Sequence, residues 1–221
     1  MSACEAIDAG LLVLRPELAV WAPLSRTLFV ADLHLGKAAA FRALGAPAPT
    51  GASEETLRRL AVLVDALEPV RLCVLGDVVH APASLTPGLG ASLAAWRERR
   101  GAMECVAVLG NHDRRAGGWL AGCGFRIVEE GGDVDSFACR HYPLAPEEAR
   151  LPGQIALAGH LHPVTRISGR AYDSLRLPCF VACGRQIVLP AFGEFTGGAP
   201  VRREDADRLY VSSGQRVAAL A

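Results

Sequence analysis

Lysine is nearly missing from this chain, as are paired cysteines, net charge and any long apolar run. Lys+Arg and Asp+Glu both total 23, so no net charge pulls the protein toward nucleic acid, and polyanion binding must be local. Seven cysteines occur without a single C-x-x-C pair. An odd count in mostly apolar surroundings reads as buried thiols in a reducing compartment, not as a disulfide framework or a thiolate zinc site. No uninterrupted apolar stretch approaches a membrane span. Residues 1–14 lack a basic segment followed by a long apolar one. The expectation is a cytoplasmic protein that does not engage membranes. Repeats, linkers and low-complexity segments are also lacking, so residues 1–221 are expected to form one domain with a core of its own.

What is present looks globular: 51% of residues are apolar and 21% charged. Apolar runs bounded by turn residues predict strands over 11–14, 19–21, 27–31, 71–75, 103–109, 125–129, 136–140 and 154–158. Four more are expected over 179–182, 186–189, 208–211 and 216–220. A helix opening at Ser53 carries Leu57, Leu60, Val64 and Leu67 on one face and stops before Pro69. Shorter helices are expected over 93–100, with Trp96 inward, and over 119–123. Residues 41–50 and 82–90 hold the glycines and prolines of loops. Strand and helix alternate early and strands dominate late, which fits a layered α/β fold with mixed sheets.

Chemistry concentrates in four blocks, each opening where an apolar run ends. They are Ala31-Asp32-Leu33-His34-Leu35-Gly36-Lys37, Val74-Leu75-Gly76-Asp77, Val108-Leu109-Gly110-Asn111-His112-Asp113 and Ala156-Leu157-Ala158-Gly159-His160-Leu161-His162. His141 lies between the third and fourth. Carboxylate, carboxamide and imidazole side chains hold divalent cations side by side, an arrangement that hydrolyses phosphate esters. Asp32 and His34 are two apart, as are His160 and His162; in an extended strand end such pairs point to one side. Gly76, Gly110 and Gly159 let the chain turn sharply, or let backbone approach an ion. A lone Gly-Asp is usually a turn, and a lone His-x-His a surface pair. All four blocks in this order, each behind a strand, are not dismissed so easily.

The order Asp-x-His, Gly-Asp, Gly-Asn-His-Asp, histidine, Gly-His-x-His resembles the calcineurin-like metallophosphoesterase superfamily. The resemblance implies an α/β, four-layered sandwich of two mixed β-sheets flanked by helices. It implies one metal on Asp32, His34 and His162, a second on Asn111, His141 and His160, and Asp77 bridging both. His112 would face the scissile phosphate, with Asp113 orienting its ring. Many members carry Gly-His where this chain has Arg140-His141, and an acidic residue near the position of His80. His80 is left open between a supporting, a substrate-facing and a purely structural role. Within the superfamily the chain is similar to the bacterial ligase-associated DNA damage response endonucleases. That likeness is carried by Ala158-Gly159-His160-Leu161-His162-Pro163, Leu177-Pro178-Cys179-Phe180 and the stretch Leu189-Pro190-Ala191-Phe192-Gly193-Glu194-Phe195-Thr196-Gly197-Gly198. Relatives of that branch are thought to act with a DNA ligase, a helicase and a nuclease.

The implied enzyme is a phosphodiesterase using two divalent ions, with DNA as the expected substrate. An oxygen and nitrogen ligand set without thiolate suits manganese first, then iron or zinc, over magnesium or calcium. Lys37, the only lysine, is a candidate phosphate contact, and Arg114 with Arg115 a candidate grip on a substrate backbone. Phe195 is a candidate base-stacking side chain in a glycine-rich turn, against the commoner role of a packing phenylalanine. Two other readings stand beside this one: a small-molecule phosphodiesterase or pyrophosphatase, and a metal-binding scaffold without catalysis.

Overall fold

The computed structural model describes residues 1–168 and 174–220. Its first sheet has six strands in the order β1 (Val13–Arg15), β2 (Ala19–Ala22), β3 (Thr27–Val30), β4 (Arg71–Leu75), β5 (Glu104–Val108) and β6 (Phe125–Val128). The β1–β2–β3 pairs are antiparallel and the β3–β4–β5–β6 pairs parallel. Thr27–Val30, Leu72–Leu75 and Cys105–Val108 are wholly buried. Unbroken apolar runs in these strands, rather than alternation, match a parallel sheet covered on both faces.

Helices cover one face: α1 (Ala3–Asp8) lies elsewhere, while α2 (Lys37–Ala43), α3 (Ala52–Leu67), α4 (Pro87–Glu98) and α5 (Gly117–Gly122) occupy the crossovers. Leu57, Leu60, Leu63 and Val64 of α3 and Leu93 and Trp96 of α4 pack with Leu28, Val30, Leu72 and Val74. Against the other face lies a second mixed sheet. Its strands are β7 (Gly132–Val134), β8 (Phe137–Cys139), β9 (Ala156–Ala158), β10 (Pro163–Ser168), β11 (Ser174–Cys183), β12 (Gln186–Val188), β13 (Ala199–Pro200), β14 (Arg208–Ser212) and β15 (Val217–Ala219). Phe29, Cys73, Leu75, Val106 and Val108 meet Cys139, Leu157, Phe180, Ala182, Ile187 and Leu189 between the sheets. The outer face of the second sheet carries smaller clusters, one of them closed by Ala149 of α6 (Pro146–Ala149). Layering is thus helices, sheet, sheet and a thin outer cover, the expected four-layered arrangement of two mixed sheets. At the far end of the first sheet Arg71 pairs with Glu104 at 2.5 Å and with Asp135, which also accepts from Thr27, tying β3–β5 to the β7–β8 hairpin. No helix among the described residues is long and apolar enough to cross a membrane.

Several elements depart from the sequence expectations. Pro87 sits in the first turn of α4, so the helix starts six residues before 93, with Thr86 capping it by accepting from the Leu89 amide. A first-turn proline forfeits no intrahelical bond, because that amide would be unpaired anyway. β10, a strand not expected from the sequence, opens with Pro163, and a strand's first residue tolerates proline. Helix α2 lies partly inside a presumed loop; its run Lys37-Ala38-Ala39-Ala40-Phe41-Arg42-Ala43 is rich in strong helix formers.

The inter-sheet core dominates stability in this arrangement. Phe29 is fully buried there and meets Phe137 edge to face at 5.6 Å. Phe29→Ala is expected to cost about 3–5 kcal/mol in urea unfolding, while Leu24→Ala, at an 84% exposed position, shifts the midpoint negligibly. Equal effects would contradict this placement of the core.

Candidate metal centre

Strands β3, β4, β5 and β9 end at Val30, Leu75, Val108 and Ala158, and each releases its polar block at the same rim. The blocks do not continue as extended strand. Asp32, His34, Asp77, His160 and His162 all have positive φ, from 46° to 71°. Convergence of the i and i+2 pairs therefore comes from left-handed turns, which correct the expected strand alternation. Such residues cost roughly 1–3 kcal/mol each and persist only where surrounding bonds impose them. Here the Asp32 amide donates to the Gly76 carbonyl (3.1 Å), His34 to Asp77 (2.8 Å) and Leu35 to Val78 (2.9 Å). Two glycines are required by space. A Cβ on Gly76 would overlap the His141 ring, and one on Gly110 would overlap the Asp77 carboxylate and backbone.

The side chains form two adjoining clusters. In the first, His34 Nε2 lies 3.2 Å from His162 Nε2, which is 3.4 Å from Asp32 Oδ1. Asp32 is fully buried; its Oδ2 accepts from the His160 amide, but its Oδ1 has no hydrogen-bond partner among the described residues. In the second, His141 Nε2 lies 3.0 Å from Asn111 Oδ1 and 3.0 Å from His160 Nδ1. Asp77 stands between: its Oδ2 is 3.7 Å from His34 Nε2 and 3.7 Å from His141 Nε2, and its Oδ1 accepts from the His112 amide.

Proton accounting decides what this arrangement wants. His141 Nδ1 lies 3.1 Å from the Leu75 carbonyl, which can only accept, so the ring proton sits there and Nε2 is a bare lone pair. Burial pushes His34 down to about 2, so this ring is neutral. Burial also raises Asp77 to about 6, with Asp32 adding to the shift, the signature of carboxylates crowded without enough positive charge. His141 Nε2 thus meets the Asn111 carboxamide oxygen lone pair to lone pair, and Asp32 Oδ1 meets no donor among the described residues. These nitrogen and oxygen donors could hold divalent cations.

Surrounding groups hold the ligand blocks in place. The buried Asp113 carboxylate accepts from the amides of Val78, Val79 and Gly110 at 3.0–3.2 Å and makes no hydrogen bond to His112. It pins the loop behind Asp77, so the expected role of orienting the His112 ring is not what its geometry supports. Glu130, absent from the sequence reading, accepts from the amides of His141 (2.9 Å) and Tyr142 (3.1 Å), and Arg140 pairs with it at 3.4 Å while donating to the Tyr142 carbonyl. The late segment at 191–194 braces the first block, since Phe192 donates to the Ala31 carbonyl and Gly193 to that of Asp32.

At the mouth, His112 is partly exposed, with Nε2 4.0 Å from Asp77 Oδ2. His80 stacks on it at 4.6 Å, and its Nδ1 is 3.5 Å from His34 Nδ1, so it flanks both rings. Burial lowers His80 to about 4, the His112 and Lys37 charges adding to the effect. Lys37 opens α2 half-buried; burial pulls its ammonium down while Asp77 and Asp32 oppose that, which places it within the field of both carboxylates. Arg114 and Arg115 are exposed and unpaired among the described residues. Phe195 is half-buried against Phe41.

The family profile of calcineurin-like phosphoesterases matches residues 25–155, which takes in every block except His160 and His162. Among solved structures, the Pseudomonas putida nuclease MPE is 37% identical, over 95% of this chain and 94% of that one, with a TM-score of 0.77. No curated protein matches the chain.

Two substitutions test this geometry. Gly110→Ala is expected to leave the protein folded but weaken Mn²⁺ binding at least tenfold by calorimetry, by displacing Asp77; unchanged affinity would contradict the close approach. Asp113→Ala strands three amide donors and should lower the stability of metal-free protein by about 2 kcal/mol or more. A variant of unchanged stability with reduced turnover would instead return Asp113 to the His112 ring.

Proposed function

The chain belongs to the calcineurin-like phosphoesterases and is a metal-dependent phosphoesterase; from that premise we propose a two-metal phosphodiesterase that cleaves nucleic acid, with DNA as its substrate. The observation that carries the reading is Asp77 Oδ2, equally 3.7 Å from the facing nitrogen of each histidine cluster. Asp32, His34 and His162 would hold one cation, Asn111, His141 and His160 the other, and Asp77 both. Manganese is the favoured metal, with iron or zinc next. When bound, two such ions neutralise the phosphoryl oxygens and supply a nucleophile from water at neutral pH.

The protein's own groups account for the remaining chemistry. His112, at the open side of Asp77, is placed to give a proton to the departing ester oxygen as the phosphorus–oxygen bond breaks in line with the incoming water oxygen. Lys37 meets a non-bridging phosphate oxygen, and the exposed Arg114 a neighbouring phosphate. His80 packs the His112 ring from behind and shields its face. No side chain is needed as a covalent nucleophile. The nuclease activity named for the Pseudomonas putida relative, together with the endonuclease-like blocks of the sequence, supports DNA over a small-molecule diester. A role in DNA repair beside a ligase, a helicase and a nuclease rests on that resemblance alone. Residues 1–221 are read as one catalytic domain, because strands from both halves of the chain share the inter-sheet core. A cytoplasmic location accords with seven free cysteines, five of them buried.

Metal-stripped protein should be inert and regain hydrolysis with Mn²⁺, and Asp77→Asn should not. His112→Ala should keep Mn²⁺ binding yet lose about a hundredfold or more in kcat. Single-stranded DNA, 2′,3′-cyclic nucleotides and a lipid-linked diphosphate assayed side by side separate the substrate classes. Inertness toward every nucleic acid, with turnover of another diester, would remove DNA as the substrate.

A further inference from the structure

Phe41 sits four residues beyond Lys37 on α2, and residues at that spacing share a helix face. Its ring lies 5.8 Å from that of His80 and meets Phe195 edge to face at 5.7 Å. His80 in turn stacks on His112 with an interplanar angle of 26°. Four rings therefore run outward from the metal centre in the order His112, His80, Phe41, Phe195. Phe41 and Phe195 are both half-buried, and neither belongs to the buried apolar clusters that build the core. That is unlike Phe29, Phe180 and Phe192, which are wholly enclosed.

Phe195 is also fixed in place. Thr196 Oγ1 donates to the Gly193 carbonyl at 3.0 Å, the Glu194 amide donates to Thr56 Oγ1 at 3.1 Å, and Arg59 pairs with Glu194. These bonds fasten the turn to α3. A ring held at a site mouth, with part of its surface in solvent, offers a stacking face at little ordering cost.

We propose that Phe41 and Phe195 form a base-stacking wall for the nucleoside attached to the departing oxygen of the scissile phosphodiester. This rests on the nucleic-acid reading above and on His112 facing the leaving group. The wall begins one ring beyond His112, on the far side of His80, so a base on the leaving side of the phosphate falls toward it, whereas a base on the attacking side does not. Stacking needs only a π face and so tolerates every base. The site would then prefer base-bearing diesters over small alkyl ones without reading sequence.

The test uses full-length Mn²⁺-loaded protein and three short diesters: a dinucleotide with both bases, one abasic on the leaving side, and one abasic on both sides. Wild-type kcat/KM should fall about tenfold on losing the leaving-side base, the size of one base–aromatic stack. The double variant Phe41→Leu, Phe195→Leu should raise KM for the full dinucleotide by a similar factor. It should leave hydrolysis of the doubly abasic diester unchanged, which also reports that the centre is intact. Phe41→Tyr and Phe195→Tyr should behave as wild type. An equal loss on all three substrates, no loss on any, or dependence on the other base would overturn the wall while leaving the nuclease reading standing. A wild-type protein that hydrolyses bis(4-nitrophenyl) phosphate but none of the three would overturn the nucleic-acid reading, and the wall with it.

Discussion

A crowd of acceptors at one rim governs this molecule. Around Asp77 the acceptors of two carboxylates, a carboxamide and four imidazoles crowd together, while the His141 proton is already committed to the Leu75 carbonyl. Buried acceptors without donors are costly, and Asp32 Oδ1 has no hydrogen-bond partner among the described residues. A fold that were only a scaffold would not retain such an arrangement, since apolar side chains of similar size could fill the rim without penalty. Cations resolve the conflict, and their binding energy then counts toward the stability of the folded state.

The rest of the structure follows from holding those acceptors in place. Five ligand-block residues adopt left-handed backbone, a conformation that loops do not keep unaided. Three parallel strands with wholly buried runs provide the rigid base, and bonds between the blocks, such as His34 to Asp77, clamp one loop against the next. Asp113 and Glu130 then spend their carboxylates on backbone amides. Those bonds hold the loops that carry the ligand-block residues.

The converging residues were legible in the sequence because each follows an apolar run, with glycine ahead of three of the four blocks. Type and order carried that information; conformation did not. Strand alternation named the right pairs for a reason the backbone does not support, since Asp32 and His34 lie past the end of β3 in left-handed turns. Proline misled at Pro87, which begins α4, whereas a local reading takes it as a breaker. Helix α2 was hidden by the glycine and prolines that follow it, although its alanines favour a helix. Asp113 reaches Val78, 35 residues away, Glu130 reaches His141, 11 away, and Phe41 meets Phe195, 154 away, and no local pattern announces such contacts.

The most direct measurement is anomalous diffraction from crystals equilibrated with Mn²⁺ and collected across the manganese edge. This account predicts two peaks, one beside Asp32, His34 and His162 and one beside Asn111, His141 and His160, with Asp77 Oδ2 between them. A single peak remote from Asp77, or no peak at saturating metal, would contradict it.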